Sequence, residues 1–291
     1  MLLHGLTLSL LLGALSYVKA APAASGLSKR QSITALTTTQ ISTFKPFTFF
    51  ASTAYCNPST TINWSCGANC AANSDFIPTA SGGDGDGTQF CAVCWVLPSQ
   101  ASVIVAHQGT DTSEICDAFL ESLDSSLFPG VSSSVEAHSG FANEQAKTAT
   151  TILSAKVTIV GHSLGAAIAL LDGVYLPLHI SGVTFQVIGY GTPRVGNQDF
   201  ANYVDAHLSF THINNKEDIV PIVPANRSEF RSFLGYHHPS GEVHIMDNGE
   251  WVSCPGQDNT NTECIVGDVP NIFDGNESDH DGPYDGVEMG C

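Results

Sequence analysis

The sequence predicts an α/β fold in which a central, mostly parallel β-sheet is flanked by helices. Short apolar runs alternate along the chain with segments of helical pattern, which is typical of parallel sheets with crossover helices. One of these apolar runs passes through a Gly-x-Ser-x-Gly turn directly into a helix-forming segment. No internal repeat is visible. We therefore expect a single domain, which spans residues 31–291 once the N-terminal segments described next are removed.

The N-terminus carries the marks of a targeting segment. Leu2–Leu15 is apolar but shorter than a membrane span, and small residues follow around Ala20. This pattern predicts a secretory signal peptide over residues 1–20. The dibasic pair Lys29-Arg30 predicts a pro-segment over residues 21–30. We expect a secreted, extracellular protein without a transmembrane segment, and its Asn-x-Ser sequons predict glycosylation at Asn63, Asn226 and Asn276.

The expected sheet is built from five apolar runs. Each is rich in β-branched residues, and Gly161 should end the second of them. The helix after that strand begins at Ala166 and continues to about Tyr175. Residues 64–87 are rich in Gly, Asn, Ser and Asp and indicate loop, with a hairpin turn rather than a calcium loop at residues 84–87. The five predicted strands are residues 101–107, 156–160, 184–190, 210–214 and 242–246.

Charge and composition exclude several classes. The chain has 10 Lys and Arg against 28 Asp and Glu, for a formal net charge of −18. Nucleic acids and anionic lipid surfaces attract basic patches, so this balance argues against both as partners. With 43% hydrophobic and 13% charged residues, the chain is too apolar for a disordered protein.

Nine cysteines in a secreted chain are candidates for disulfide bonds, and an odd number leaves at least one thiol unpaired in a monomer. Two pairs are close enough in sequence to close small loops: Cys66 with Cys70, and Cys254 with Cys264. Another pair, Cys91-x-x-Cys94, lies in a strand pattern, where the two side chains face opposite sides. We expect structural sulfur there rather than a metal site.

The most specific motif is Gly161-His162-Ser163-Leu164-Gly165. A β-rich segment precedes it and a run of Ala, Ile and Leu follows it, so the motif lies at a strand–turn–helix junction. That context is a nucleophile elbow, which is the signature of the α/β-hydrolase fold. Gly161 and Gly165 permit the close packing that the sharp turn requires. We expect Ser163 to be a nucleophile and His162 to pack beside it.

A serine nucleophile needs a base and an acid that orients the base, in the chain order Ser, Asp or Glu, His. Asp218 follows the predicted strand at 210–214, and the apolar residues after it would bury its carboxylate. Glu217 is the alternative acid. His280 lies in a loop near the C-terminus, as the base should. The other late histidines have contexts that indicate structural roles: His237, His238 and His244.

The chemistry also needs donors for the oxyanion. One should be the backbone N–H of Leu164, directly after the nucleophile. The second should come from the loop after an earlier strand, and Thr110 in His107-Gln108-Gly109-Thr110 meets that requirement. Such a mechanism needs no metal and no organic cofactor.

Together these residues resemble the secreted fungal class 3 lipases, which include triacylglycerol lipases and related feruloyl esterases, over most of residues 53–291. The resemblance implies the triad Ser163, Asp218 and His280, with Thr110 and Leu164 as the oxyanion hole. Its further motifs are Ala54-Tyr55-Cys56, His138-Ser139-Gly140-Phe141, Tyr190-Gly191-Thr192-Pro193-Arg194-Val195-Gly196-Asn197 and Asp218-Ile219-Val220-Pro221.

The same resemblance implies three disulfide bonds, and it provides no counterpart for Cys91, Cys94 and Cys116. The implied pairs are Cys56–Cys291, Cys66–Cys70 and Cys254–Cys264.

Two segments depart from the family pattern. Residues 141–155 leave room for a helix about three turns shorter than the family's. Residues 112–123, where the family places an amphipathic lid, fit only a brief helix with Ile115, Phe119 and Leu120 facing inward.

From these observations we expect a monomeric carboxylic ester hydrolase that acts on acylglycerols or other apolar esters, including at an oil–water interface. The reduced lid leaves open a short-chain or feruloyl-type esterase. The shortened helix leaves open an inactive binding protein on a hydrolase scaffold.

Overall fold

The computed structural model describes residues 32–83, 89–91, 96–97, 102–109, 120–148, 157–224 and 235–291. In chain order the strands are β1 (Thr34–Ala35), β2 (Gly82–Gly83), β3 (Gln89–Cys91), β4 (Val96–Leu97), β5 (Ser102–His107), β6 (Leu120–Ser122), β7 (Glu136–His138), β8 (Val157–His162), β9 (Phe185–Tyr190), β10 (Gly196–Asn197), β11 (Ser209–Asn215), β12 (Tyr236–His237), β13 (Glu242–Ile245) and β14 (Trp251–Cys254).

The helices are, in chain order, α1 (Thr38–Ser42), α2 (Lys45–Thr53), α3 (Pro58–Thr61), α4 (Ala68–Ala72), α5 (Ser139–Thr148), α6 (Leu164–His179), α7 (Gln198–His207) and α8 (Ile265–Asp268). There are also two 3₁₀ turns. Val220–Ile222 follows β11, and Glu277–Asp279 precedes the C-terminal loop. Among the described helices, none is both long and apolar enough to cross a membrane.

Several sequence predictions concern residues outside the described ranges. They are the signal peptide at 1–20, the pro-segment at 21–30, the turn at 84–87, the lid residues 112–119, and Thr110, Cys94, Cys116 and Asn226.

The central sheet has the strand order β1-β14-β13-β11-β9-β8-β5-β3-β2, and β4 also pairs with β5. The pairs from β5 through β8, β9 and β11 to β13 are parallel, whereas the outer pairs are antiparallel. This arrangement confirms the predicted mostly parallel sheet. It also brings the carboxyl ends of β5, β8, β9 and β11 to one edge, where the loops after them meet.

Helices cover both faces of the sheet, which explains why its strands read as continuous apolar runs. In β5, Val103 and Val105 belong to the core under α5, α6 and α7, whereas Ile104 and Ala106 pack with α2 on the other face. The same alternation, with a period of two residues, places the neighbouring strands between these two layers.

Three local predictions were wrong. Gly161 does not end its strand, because β8 continues through Gly161 and His162, which pair with Gly189 and Tyr190 of β9. The 64–87 segment is not loop throughout, since it contains α4 and β2. Leu120–Ser122 is strand β6 rather than helix, because it pairs antiparallel with β7. Long-range pairing decided the outcome in the first and third cases.

A small second sheet has the order β12-β10-β7-β6 and is antiparallel. Its strand β10 comes from the Pro-Arg-Val-Gly-Asn segment, and Asn197 then caps α7 by accepting a hydrogen bond from Phe200 N at 2.9 Å. This segment thus connects the end of β9 to a helix on the outer face.

Three disulfide bonds lie within the described residues: Cys56–Cys291, Cys66–Cys70 and Cys254–Cys264. They are the pairs that the family resemblance implies. The first joins the end of α2 to the C-terminal residue, and Ser52 Oγ adds hydrogen bonds to the carbonyls of Glu288 and Gly290 at 3.0 and 2.7 Å. The C-terminal segment is therefore bound to α2.

Glu242 is a buried carboxyl group at the start of β13. Burial raises its pKa to about 8, while a hydrogen bond from Ile265 N at 2.7 Å acts in the opposite direction. The Sγ atoms of Cys254 and Cys264 and a carboxylate oxygen of Glu242 all lie within 4.8 Å of one another. Because the two sulfurs are bonded to each other, they do not offer thiolates to a metal.

We predict that Glu242 makes stability depend on pH. Its pKa is higher in the folded protein than in the unfolded chain. Its contribution to the free energy of unfolding is therefore fully present below about pH 4.5 and is lost as the pH rises through about 8. The wild type should lose several degrees of melting temperature more than Glu242→Gln between about pH 6 and about pH 9, measured by circular dichroism. Glu263→Gln removes an exposed carboxylate nearby and is the control. Equal losses in wild type and Glu242→Gln would contradict the assignment.

Candidate active site

Ser163 lies at the junction of β8 and α6 and is the N-cap residue of that helix. Its φ of 58° and ψ of −129° place a non-glycine residue in a strained turn. Ser163 N donates to Tyr190 O at 2.9 Å, which fixes the turn to β9. A Cβ atom on Gly161 would lie 2.1 Å from Gly165 O, so the two glycines allow strand and helix to meet. The local geometry is that of the predicted elbow.

The structure brings His280 and Asp218 together. His280 Nδ1 is 2.9 Å from Asp218 Oδ2, and Asp218 Oδ1 accepts a hydrogen bond from Val220 N at 2.9 Å. Both side chains are buried. The carboxylate therefore orients the imidazole with Nε2 directed away from it, as a base requires.

Ser163 Oγ and His280 Nε2 are both buried, and neither has a hydrogen-bond partner within the described part of the chain. His162, the residue before Ser163, donates from Nε2 to the His280 carbonyl at 2.8 Å, and the two imidazole rings are 4.3 Å apart. The base therefore lies beside the elbow. A hydrogen bond between nucleophile and base is often longer before substrate binds and shortens in the complex.

His162 makes hydrogen bonds through both ring nitrogens, whereas the sequence predicted only that it packs beside Ser163. Because a carbonyl can only accept, His162 Nε2 carries the proton. Nδ1 then accepts from Tyr55 OH, which lies 2.5 Å away. Burial, and next the charge of His280, hold the pKa of His162 well below its usual range, so the ring stays neutral. Tyr284 OH also donates to the His280 carbonyl, at 2.9 Å.

This hydrogen-bonded chain extends to the loop after β5. The backbone N–H of Gly109 donates to the phenolic oxygen of Tyr55, and burial raises the pKa of that phenol. A Cβ on Gly109 would lie 2.6 Å from the Cβ of Ser163, so the loop passes directly over the nucleophile. One network thus connects the loop that precedes Thr110, the elbow and the base. The signal in the sequence was the pairing of Ala54-Tyr55-Cys56 with a histidine in the elbow.

A second buried network lies beneath the same loop. His107, the last residue of β5, places Nε2 2.8 Å from Asp172 Oδ2, and Gln145 Nε2 donates to Asp172 Oδ1 at 2.8 Å. All three side chains are buried. Asp172 belongs to α6 and Gln145 to α5, so the network ties the strand that leads into the loop to both helices. Sequence reasoning missed it, although Asp172 interrupts an otherwise apolar helix.

A third network holds the segment after Asp218. Arg194 is fully buried and donates from Nη1 to Ile222 O at 2.5 Å and from Nε to Asp258 Oδ1 at 3.0 Å. His238 Nε2 donates to Pro221 O at 2.6 Å, and burial lowers the pKa of His238 to about 4. Burial of Asp258 opposes ionisation, but the hydrogen bond from His237 and the charge of Arg194 outweigh it and lower the pKa of that carboxyl. These hydrogen bonds therefore fix the turn that follows Asp218.

The other predicted candidates take different positions. The half-buried Glu217 uses its carbonyl to accept from Asn276 N at 2.6 Å. His244 directs its two ring nitrogens at the carbonyls of Glu263 and Lys216, each at 2.9 Å, so it has a structural role. Leu164 is the first residue of α6. Asn63 and Asn276 are exposed, and glycosylation at both stays a prediction.

We predict that Asp172 positions the loop after β5, from which the sequence leads us to expect an oxyanion donor. Asp172→Leu should lower kcat for a soluble ester about tenfold with little change in KM, because the loss falls on the transition state. Asp172→Asn keeps an acceptor for Gln145 and should recover part of the rate. Asp199→Asn, on the exposed start of α7, is the control. A lower melting temperature with unchanged kcat would show that Asp172 serves stability alone.

Comparison with known proteins finds similar chains among the lipases. The family model "Lipase (class 3)" matches residues 99–228. The secreted mono- and diacylglycerol lipase MDL4 of Malassezia globosa is 37% identical over 140 residues, which are 46% of this chain and 42% of the relative. This chain spans about half the length of the curated relatives it matches.

Solved structures match over a larger part of the chain. Lipase II from Rhizopus niveus superposes with a TM-score of 0.73 and 26% identity, over 89% of this chain and 99% of that one. A triacylglycerol lipase whose catalytic centre is described as a serine protease triad has a TM-score of 0.71 and 26% identity, over 89% and 98%. With the elbow, the mostly parallel sheet and these relatives in agreement, the chain has the α/β-hydrolase fold and is similar to the fungal class 3 lipases.

Proposed function

We propose that this protein is a secreted serine carboxylic ester hydrolase that cleaves acylglycerol esters through an acyl-enzyme. One observation carries the proposal: Ser163 occupies a strained elbow beside His280, whose Nδ1 lies 2.9 Å from the buried Asp218. A serine, an imidazole and a carboxylate in this relation form the machinery of acyl transfer.

In the proposed mechanism, Ser163 Oγ attacks the ester carbonyl while His280 Nε2 takes its proton. Asp218 keeps Nδ1 protonated and stabilises the imidazolium that forms. The oxyanion develops at the N-terminus of α6, where the Leu164 N–H and the positive end of the helix dipole oppose its charge. We assign the second donor to Thr110, which follows Gly109. His280 then protonates the leaving alcohol, and a water molecule cleaves the acyl-enzyme by the same route.

The substrate class rests on the relatives. MDL4 is named a secreted mono- and diacylglycerol lipase, and the solved neighbours include a triacylglycerol lipase. We extend this chemistry to the present chain, together with its secretion, which three disulfide bonds support. We also propose action on lipid at an oil–water interface, since one solved neighbour, 25% identical, is described in a model for interfacial activation of lipases.

We predict that Ser163→Ala retains the fold and loses about 10⁴-fold or more of ester turnover. A fluorophosphonate probe should label the wild type and not the variant. Ser209→Ala, which removes an exposed hydroxyl from the start of β11, should behave as wild type. Labelling or turnover that survives Ser163→Ala would sink the nucleophile assignment. A folded wild type without labelling would favour the binding-protein alternative.

Chain-length preference separates the proposed lipase from a short-chain or feruloyl-type esterase. We predict that hydrolysis of p-nitrophenyl esters from acetate to palmitate peaks at a long chain. The control is the same series with Ser163→Ala. A peak at acetate, or preferential hydrolysis of methyl ferulate, would replace lipase by esterase and leave the triad assignment intact.

A further inference from the structure

Two adjacent apolar side chains project from the turn between α8 and the 3₁₀ turn at Glu277–Asp279. Phe273 is 82% exposed and Ile272 is 45% exposed, and the exposed Pro270 precedes them. Single exposed apolar residues are ordinary in soluble proteins. A contiguous aromatic and aliphatic pair is a candidate contact surface. We call Ile272 and Phe273 the apolar tip.

Hydrogen bonds hold the apolar tip in its exposed position. The Asn271 side chain accepts from Phe273 N at 3.0 Å, and Asp274 N donates to the Asn271 carbonyl at 3.0 Å. Asn271 Nδ2 also donates to the Asp274 carboxylate. The turn therefore closes on its own polar groups and directs both apolar side chains outward.

The residues that follow the apolar tip connect it to Asp218 and His280. Asn276 N donates to the carbonyl of Glu217, the residue before Asp218, at 2.6 Å. Four residues after Asn276 the chain reaches His280, and Asn276 caps the intervening 3₁₀ turn through Ser278 N at 3.1 Å. The apolar tip thus belongs to the segment that carries His280. Through Asn276, this segment also contacts the turn that carries Asp218.

The charge around the apolar tip selects the kind of surface it fits. Asp274 and Glu277 are exposed on the same segment, and Asp268 and Asp279 flank it. Within the described part of the chain, a cation that faces this group is Lys216, whose Nζ lies 3.8 Å from Asp279. With a formal net charge of −18 for the chain, an anionic surface would be repelled. An uncharged one would accept the two apolar side chains.

We propose that the apolar tip docks on the surface of an uncharged acylglycerol aggregate and holds the catalytic edge of the sheet against it. The inference rests on the proposed function, since it assumes that the substrate is lipid. It adds to the proposed function a contact with the aggregate that is made by residues on the same segment as His280.

The test separates docking from catalysis. In the inactive Ser163→Ala background, flotation with triolein droplets coated with phosphatidylcholine measures binding without hydrolysis. The double substitution Ile272→Ser with Phe273→Ser should weaken this binding about tenfold or more, because two side chains no longer leave water. The matched control is Ile62→Ser with Ile77→Ser, which removes two other exposed apolar residues and should leave binding unchanged.

In the active enzyme, the same tip variant should keep wild-type turnover of dissolved p-nitrophenyl butyrate and lose activity on the droplets. Unchanged droplet binding, an equal loss in the control, or tighter binding to droplets coated with phosphatidylglycerol would each overturn the proposal. If the wild type binds droplets through the tip but hydrolyses no ester, the proposed function fails while the docking site stands.

Discussion

The turn at Ser163 is held in a backbone conformation that costs about 1–3 kcal/mol for a residue with a side chain, so its surroundings must stabilise it. Strand β8 does so by continuing through His162 and pairing with β9, and α6 does so by being buried along most of its length. The contact is close enough that Gly161 and Gly165 admit no Cβ. Everything else in the site is placed relative to this turn.

Two buried polar networks lie around the elbow. Tyr55, His162 and the His280 carbonyl form one network, and His107, Asp172 and Gln145 form another. A satisfied hydrogen bond contributes only about 1 kcal/mol net, whereas leaving a buried partner unsatisfied costs more. Such networks therefore tolerate one arrangement of their members. They make the positions of the base and of the loop after β5 depend on each other through the neutral ring of His162.

Asp218 and His280, the proposed acid and base, both lie on irregular segments, so tertiary contacts replace the rigidity that a helix or strand would supply. The turn after β11 is fixed by Arg194 and His238, and the segment that carries His280 is fixed by Tyr284 and by Asn276 on Glu217. The bond between Cys56 and Cys291 then holds the chain beyond His280 against α2. This construction leaves the neighbouring turn free to present Ile272 and Phe273 outward.

The sequence by itself determined the fold class, the elbow and most of the strand positions, because apolar periodicity and the Gly-x-Ser-x-Gly junction are local signals. Asp218 and His280 were predicted from chain order and local context, and the structure places them in contact. Tertiary structure alone decided that β8 runs past Gly161, that Leu120–Ser122 is strand, and that His162 is a hydrogen-bonding residue. In each case the deciding partner lies far away in sequence, on β9, on β7 or at Tyr55. The contacts of the buried Asp172 with His107 and Gln145 could not be predicted either. The helical pattern of a segment does not show which of its polar residues will contact a strand far away in sequence.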